Sequence, residues 1–147
     1  MGKYFEVKVK CDRIQENGIL KRVTESYLVD AMSFTEAEQR ITKELSSSKD
    51  LEVAAIAKTK ISELVKPDGD FSQKWYRCKL IFSEIDENSG KEKKTAIYYL
   101  VQSTDLNEAK NKMVEFMKGS VQDYEFSEIK ETPILEVYEA KRECPSL

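Results

Sequence analysis

The most informative absence in this sequence is histidine, which does not occur once in its 147 residues. Histidine is the commonest general base in enzymes and the commonest transition-metal ligand in proteins. A Cys–His dyad and a Ser–His–Asp triad are therefore excluded. Because no other catalytic or metal-binding motif occurs in the sequence, we expect a protein that is not an enzyme and that uses no metal or other cofactor.

Cysteine is also scarce, since Cys11, Cys78 and Cys144 are the only three and follow no paired spacing. An odd number of widely separated cysteines argues against the disulfide framework of a small secreted protein. Cys11 and Cys78 fall on the apolar phase of predicted strands, where a free thiol packs as a small hydrophobic side chain. We therefore expect buried thiols and no disulfide.

Long apolar runs are missing as well. No run approaches the roughly 20 apolar residues that cross a bilayer. The opening MGKYFEVKVK lacks the apolar core of a signal peptide. We expect no membrane association and a cytoplasmic location. The composition, with 35% charged and 40% hydrophobic residues, is that of a folded globular protein.

What the sequence does contain is an internal repeat. The stretches KYFEVKVKC and KWYRCKLIF open two copies that stay in register through Tyr27/Tyr99 and Glu36/Glu108, with Ser89 as one inserted residue. A later match pairs IAKTKISEL with IKETPILEV. A period of roughly 70 residues is longer than the roughly 20–50 residues of a solenoid unit. We therefore predict two copies of one supersecondary unit about an approximate two-fold axis.

Each copy opens with alternating apolar and polar residues, which predicts a half-buried strand. In KYFEVKVKC the apolar phase runs from Phe5 to Cys11. The segments QENG and DENSG then supply the Asn and Gly residues that tight hairpins need. A second strand follows in each copy, and in the first of these Glu25 falls on the apolar phase, where it does not fit the pattern.

A helix is predicted next, over SFTEAEQRITKEL and DLNEAKNKMVEFM. Ser33 with Glu36, and Asp105 with Glu108, have the spacing of a capping box, which satisfies free amides at a helix start. The last element of each copy, LEVAAIAKTKISELV or YEFSEIKETPILEVY, is predicted as one long strand. The alternation of apolar and polar residues is interrupted partway along this segment. Pro133 has no amide to donate to a neighbouring strand, so we expect a bulge or an edge position.

These elements predict an α+β fold of two tandem β-β-α-β repeats. We expect one antiparallel-rich sheet with both helices on one face and a pseudo-two-fold relation between the repeats. The predicted boundaries are 1–66 for the first repeat, 67–73 for a connector, 74–140 for the second repeat and 141–147 for a frayed tail. The whole chain is expected to form one compact domain.

The face of this sheet that no helix covers is predicted to be rich in basic and aromatic residues. On the two opening hairpins the cations outnumber the acidic Glu6 and Glu92. Rings interleaved with Lys and Arg can stack single-stranded nucleic acid, at roughly 1–3 kcal/mol per base, while the cations meet phosphates. The candidate nucleic-acid-binding residues are Tyr4, Lys8, Lys10, Arg22, Trp75, Arg77, Lys79, Lys94 and Tyr98.

The same face also has a purely structural explanation. Aromatic residues are favoured in strands for packing alone, and exposed lysines block edge-to-edge aggregation. A net charge of −3 is unlike the basic balance usual in nucleic-acid binders. The alternative is therefore a protein-interaction or homodimerisation module, in which protein closes this face and no nucleic acid is bound.

The string YLVDAMSFTEAE, at Tyr27–Glu38, resembles a domain family of unknown function found in gut bacteria and their phages. The resemblance covers nearly the whole chain and implies no particular activity. An association with phages and mobile elements would suit DNA metabolism under the nucleic-acid hypothesis. Under the alternative it would suit a phage-encoded inhibitor or accessory protein.

Overall fold

The structure, a computed structural model, describes residues 3–65 and 74–139. The predicted connector at 67–73 and the tail at 141–147, with Cys144, lie outside these described residues. In chain order the elements are β1 (Lys3–Ile14), β2 (Leu20–Ala31), α1 (Phe34–Glu44), β3 (Lys49–Lys58), β4 (Ile61–Val65), β5 (Lys74–Ile85), β6 (Glu92–Ser103), α2 (Leu106–Phe116), β7 (Tyr124–Glu131) and β8 (Ile134–Tyr138).

The strands form two four-stranded sheets, in the orders β3-β1-β2-β8 and β4-β6-β5-β7. Helix α1 packs on the first sheet and α2 on the second. The α+β class is confirmed, whereas the prediction of one sheet with both helices on one face is wrong. Neither helix among the described residues is long and apolar enough to cross a membrane.

The chain divides into two compact units that do not coincide with the predicted repeats. Unit 1 is Met1–Thr59 with Ile134–Leu147, and unit 2 is Lys60–Pro133. The difference arises because the long last strand predicted for each repeat is two strands. The second strand of each pair, β4 or β8, joins the other sheet, where β4 pairs in parallel with β6 and β8 pairs in parallel with β2.

Hydrogen bonds made by two threonines explain why each long predicted strand is interrupted. The amide of Thr59 donates to the carbonyl of Tyr4 at 3.0 Å, and the Thr59 hydroxyl donates to the same oxygen at 2.7 Å. Thr132 does the same to the carbonyl of Trp75, at 2.9 Å and 2.8 Å. The residues that follow are Lys60 and Pro133. A two-residue hairpin requires positive φ, which neither Thr-Lys nor Thr-Pro favours, so the chain does not turn back along its own edge strand.

Each unit has its own core between the sheet and its helix. These cores include Phe5, Val7, Val9, Tyr27, Val29 and Ile41 in unit 1, and Tyr76, Leu80, Phe82, Tyr99, Val101 and Met113 in unit 2. The predicted apolar phase of β1, from Phe5 to Cys11, is thus confirmed. Cys11 and Cys78 are buried free thiols, as expected.

Turns and helix starts follow the predicted chemistry. Gly18 and Gly90 adopt φ of 77° and 69° at the hairpin turns, a conformation that other residues rarely adopt. Ser33 Oγ accepts the amide of Glu36 at 3.1 Å, and Asp105 Oδ1 accepts the amide of Glu108 at 2.7 Å. The helix starts are therefore set by the side chains that the capping-box spacing indicated.

Candidate nucleic-acid interface

The candidate residues lie on the face of each sheet opposite its helix. In unit 1, Phe5, Val7 and Val9 enter the core, so the alternate residues of β1 project from the other side. That side carries Tyr4, Lys8, Lys10 and Arg22 in unit 1, and Trp75, Arg77, Lys79, Lys94 and Tyr98 in unit 2. The predicted site is therefore divided between the two units.

Three of the candidates come together in unit 2. Tyr98 stands directly opposite Lys79 in the β5–β6 register. The guanidinium carbon of Arg77 lies 5.5 Å from the centroid of the Tyr98 ring, and Nζ of Lys79 lies 5.8 Å from it. Cations at such distances are attracted by the ring face, by about 0.5–1 kcal/mol where the contact is exposed. The half-buried ring is thus flanked by two positive groups.

Trp75 is buried, with 3% of its surface exposed, so the prediction that it is available for stacking is wrong. The same helix-free faces bury Leu28 and Leu100 completely, at 0%. Alternation predicted correctly which face each side chain occupies. It could not predict that part of that face is covered. Tyr4, the counterpart of Trp75 on β1, is half-buried.

Two of the predicted cations are ion-paired. Arg22 lies 3.0 Å from Glu52 and 3.3 Å from Asp12, and these carboxylates raise the pKa of its guanidinium above the usual value. Arg77 lies 3.5 Å from Glu128. The partners Glu52 and Glu128 come from β3 and β7, whose register with the hairpins contains bulges that the sequence pattern does not reveal.

The remaining candidate cations are lysines. Lys8, Lys10 and Lys94 are exposed and Lys79 is half-buried. None of the four forms an ion pair with any residue of 3–65 or 74–139. An ammonium group without an ion-pair partner can contact an anion from solution. These lysines are the groups that remain available to phosphates.

Strands β3 and β7 add acidic residues to the helix-free faces of unit 1 and unit 2. Glu52 stands opposite Lys10, while Glu125 and Glu128 stand opposite Ile81 and Lys79. The basic excess counted over the hairpins alone is therefore partly offset when the whole sheet is considered. These carboxylates lower the net positive charge of both helix-free faces.

The sequence pattern does not reveal one polar cluster in unit 1, although the place of Glu25 on the apolar phase is a sign of it. Glu25 accepts Nη2 of Arg13 at 2.7 Å, the hydroxyl of Tyr27 at 3.1 Å and the thiol of Cys11 at 3.4 Å. Arg13 lowers the pKa of Glu25, and burial beside Glu25 raises the pKa of Tyr27 to about 12. The cluster is an Arg13–Glu25 ion pair with two further hydrogen bonds, at the edge of the unit 1 core.

This cluster does not have the features of a reactive site. Burial, followed by the contact with Glu25, raises the pKa of Cys11 above its usual value, so the thiol stays protonated. A nucleophilic cysteine requires the opposite shift. Among residues 3–65 and 74–139, no group of acidic and cysteine side chains is arranged to hold a metal ion.

Comparison with known proteins gives one finding. A family described as Domain of unknown function (DUF4494) matches residues 3–140. This range includes every strand and helix described above. No curated protein and no solved structure matches the chain.

Proposed function

The chain belongs to the family described as Domain of unknown function (DUF4494), and we propose that it is a non-enzymatic module that binds single-stranded nucleic acid. The observation that supports this function is the Tyr98 ring flanked by Arg77 and Lys79 on the helix-free face of unit 2. A cytoplasmic role in the DNA metabolism of phages or mobile elements of gut bacteria belongs to the same proposal.

In the proposed site, one aromatic ring contacts a base and the neighbouring cations contact phosphates. Tyr98 stacks a base, a contact worth about 1–3 kcal/mol. Lys79 and Lys94 neutralise phosphates of the same strand, while Glu128 holds Arg77 beside the ring. In unit 1, Lys8 and Lys10 form a second exposed pair of cations. Trp75 and Arg22 take no part, because one is buried and the other is ion-paired.

Neighbouring lysines on β6 provide a matched test of this site. Lys94 stands opposite Ser83 and therefore projects on the helix-free face, whereas Lys93 stands opposite Glu84 and projects on the other face. Both are exposed. Fluorescence anisotropy of a labelled oligothymidylate at low ionic strength should show weaker binding by Lys94→Gln and unchanged binding by Lys93→Gln. Equal effects of the two substitutions would mean that the helix-free face is not the binding surface.

A second candidate function is protein interaction, including homodimerisation, as in a phage-encoded inhibitor or accessory protein. It is favoured by an apolar hairpin tip in unit 1, where Ile14 and Leu20 face each other across the strands and are 76% and 44% exposed. Exposed apolar patches often mark protein contacts. Light scattering of wild type and Ile14→Lys tests the homodimer, which predicts a concentration-dependent mass that the substitution abolishes.

We also propose that the two halves of the chain arose by duplication and are related by a pseudo-two-fold axis. The order strand, strand, helix, strand, strand occurs once in 3–65 and again in 74–139. The hairpin strands have 12 residues in both halves and the helices have 11. Equal element lengths at equivalent positions support a common origin.

A further inference from the structure

The sheet of unit 1 is completed by a strand that follows unit 2 in the chain. Strand β8 comes after β7 with only Thr132 and Pro133 between them. It lies beside β2, in parallel, from the Ser26/Ile134 pair to the Val29/Tyr138 pair. Among the described elements, β2 is the only one whose backbone β8 adjoins closely. The edge of β2 is thus a binding site for an extended segment, and the chain's own β8 occupies it.

The site at the edge of β2 holds specific side chains of β8. Ile134 is buried to 4% exposure, and the ring of Tyr138 stacks on that of Tyr27 with centroids 5.8 Å apart. At the end of the strand, Nη2 of Arg40 on α1 donates to the carbonyl of Glu139 at 2.8 Å. Arg40 also donates to the carbonyl of Asp30, so it joins β2 to the chain that follows β8. The site therefore accepts a segment that supplies an apolar side chain, an aromatic ring and a backbone carbonyl.

Unit 2 has the reciprocal arrangement. Strand β4 follows β3 after Thr59 and Lys60, and it pairs in parallel with β6 from Ile61/Tyr98 to Val65/Val101. Val65 contributes to the unit 2 core. Each sheet is therefore incomplete without a strand from the other half of the chain. In both sheets this strand covers the outer edge of the second hairpin strand, β2 in unit 1 and β6 in unit 2.

We propose that these strands also exchange between two copies of the chain, so that residues 3–65 of one copy pair with residues 74–139 of another. In this swapped dimer, β8 of each copy occupies the edge of β2 in its partner, and β4 occupies the edge of β6. Every contact of β4 and β8 described above is made again in the dimer. The balance between monomer and dimer is then set mainly by concentration, as in other domain swaps.

The exchange differs from association through an exposed surface, because it requires β8 to leave its site before a dimer can form. Weakening the β8 site therefore accelerates interconversion in both directions. It leaves the equilibrium fraction of dimer unchanged, since monomer and dimer lose the same contact. Association through an outer patch has no such dependence on Arg40.

The test uses the full-length chain with Cys144→Ser, so that the tail thiol cannot cross-link. Ser26→Cys and Ile134→Cys are added, because these positions are register partners across β2 and β8. Protein refolded at high concentration is separated by size, oxidised and run on a denaturing gel without reductant. The dimer fraction should remain a covalent dimer and the monomer fraction a covalent monomer. A dimer fraction that runs as monomer, or the absence of any dimer, would overturn the proposal.

A second pair of variants keeps the test independent of the engineered cysteines. Arg40→Gln removes the contact to Glu139, whereas Lys43→Gln changes an exposed lysine on the same helix. Isolated dimer is diluted and its return to monomer is followed by size exclusion. Arg40→Gln should speed the return by about tenfold to a hundredfold, the effect of losing a charge-assisted hydrogen bond, at an unchanged end point. Equal rates for the two variants would contradict strand exchange.

Discussion

Arg13 and Glu25 form an ion pair in unit 1, with Nη2 of Arg13 2.7 Å from Oε1 of Glu25. The two side chains are 37% and 17% exposed, so the pair is partly withdrawn from water. Tyr27 and Cys11 donate to the same carboxylate. This contact explains why an acidic residue stands on the apolar phase of β2, because its charge is satisfied at the edge of the core.

We predict that Glu25→Ala destabilises the protein by about 1–3 kcal/mol, because Arg13 and the Tyr27 hydroxyl then lose their shared acceptor. Urea denaturation followed by circular dichroism measures the change in the free energy of unfolding. Glu92→Ala is the control, since Glu92 is an exposed acid at the start of β6. If both substitutions shift the midpoint equally, the ion pair contributes nothing of its own.

The Glu25 carboxylate also predicts a pH dependence. Arg13 lowers its pKa from the ordinary value of 4.5 in the folded protein. The resulting stability is fully present above the unfolded pKa and is lost as the pH falls through the lower folded pKa. Urea midpoints measured from neutral to acidic pH should therefore fall less steeply below pH 4.5 in Glu25→Gln than in wild type. Parallel curves for the two proteins would contradict the assignment.

Trp75 is the only tryptophan in the chain, so its fluorescence reports one position. Because the indole is buried at 3% exposure, we expect little quenching by acrylamide in the native state and a red shift on unfolding. Oligonucleotide should leave the emission unchanged. Trp75→Ala should cost about 3–5 kcal/mol of stability, as for other buried aromatic residues. Strong native-state quenching would show that the ring is accessible after all.

Much of each unit could be predicted from sequence because its information is local. Alternation placed Phe5 in a core and Lys8 on the opposite face, and the Ser33/Glu36 spacing located the start of α1. The exchange of β4 and β8 could not be predicted in this way. A short apolar segment such as ILEVY specifies a strand, but its pattern does not specify which sheet edge it joins.

The candidate site was predictable in part for the same reason. Lys79 and Tyr98 stand opposite each other because of the hairpin register. The turn and the alternating pattern together determine that register. The pairing of Arg22 with Glu52 depends on where β3 lies against β1, and bulges shift that register. The burial of Trp75 depends on what covers the sheet, which no local pattern records.

The most direct test of the proposed function is the salt dependence of oligothymidylate binding, measured by anisotropy for wild type and Tyr98→Ala. Each phosphate neutralised contributes about −0.7 to the slope of log K against log salt for a single strand, so contacts by Lys79 and Lys94 predict a slope of about −1.4. Loss of the stacking ring should weaken binding by roughly 5- to 150-fold. No binding at the lowest salt concentration, or equal affinity of wild type and Tyr98→Ala, would contradict the proposal.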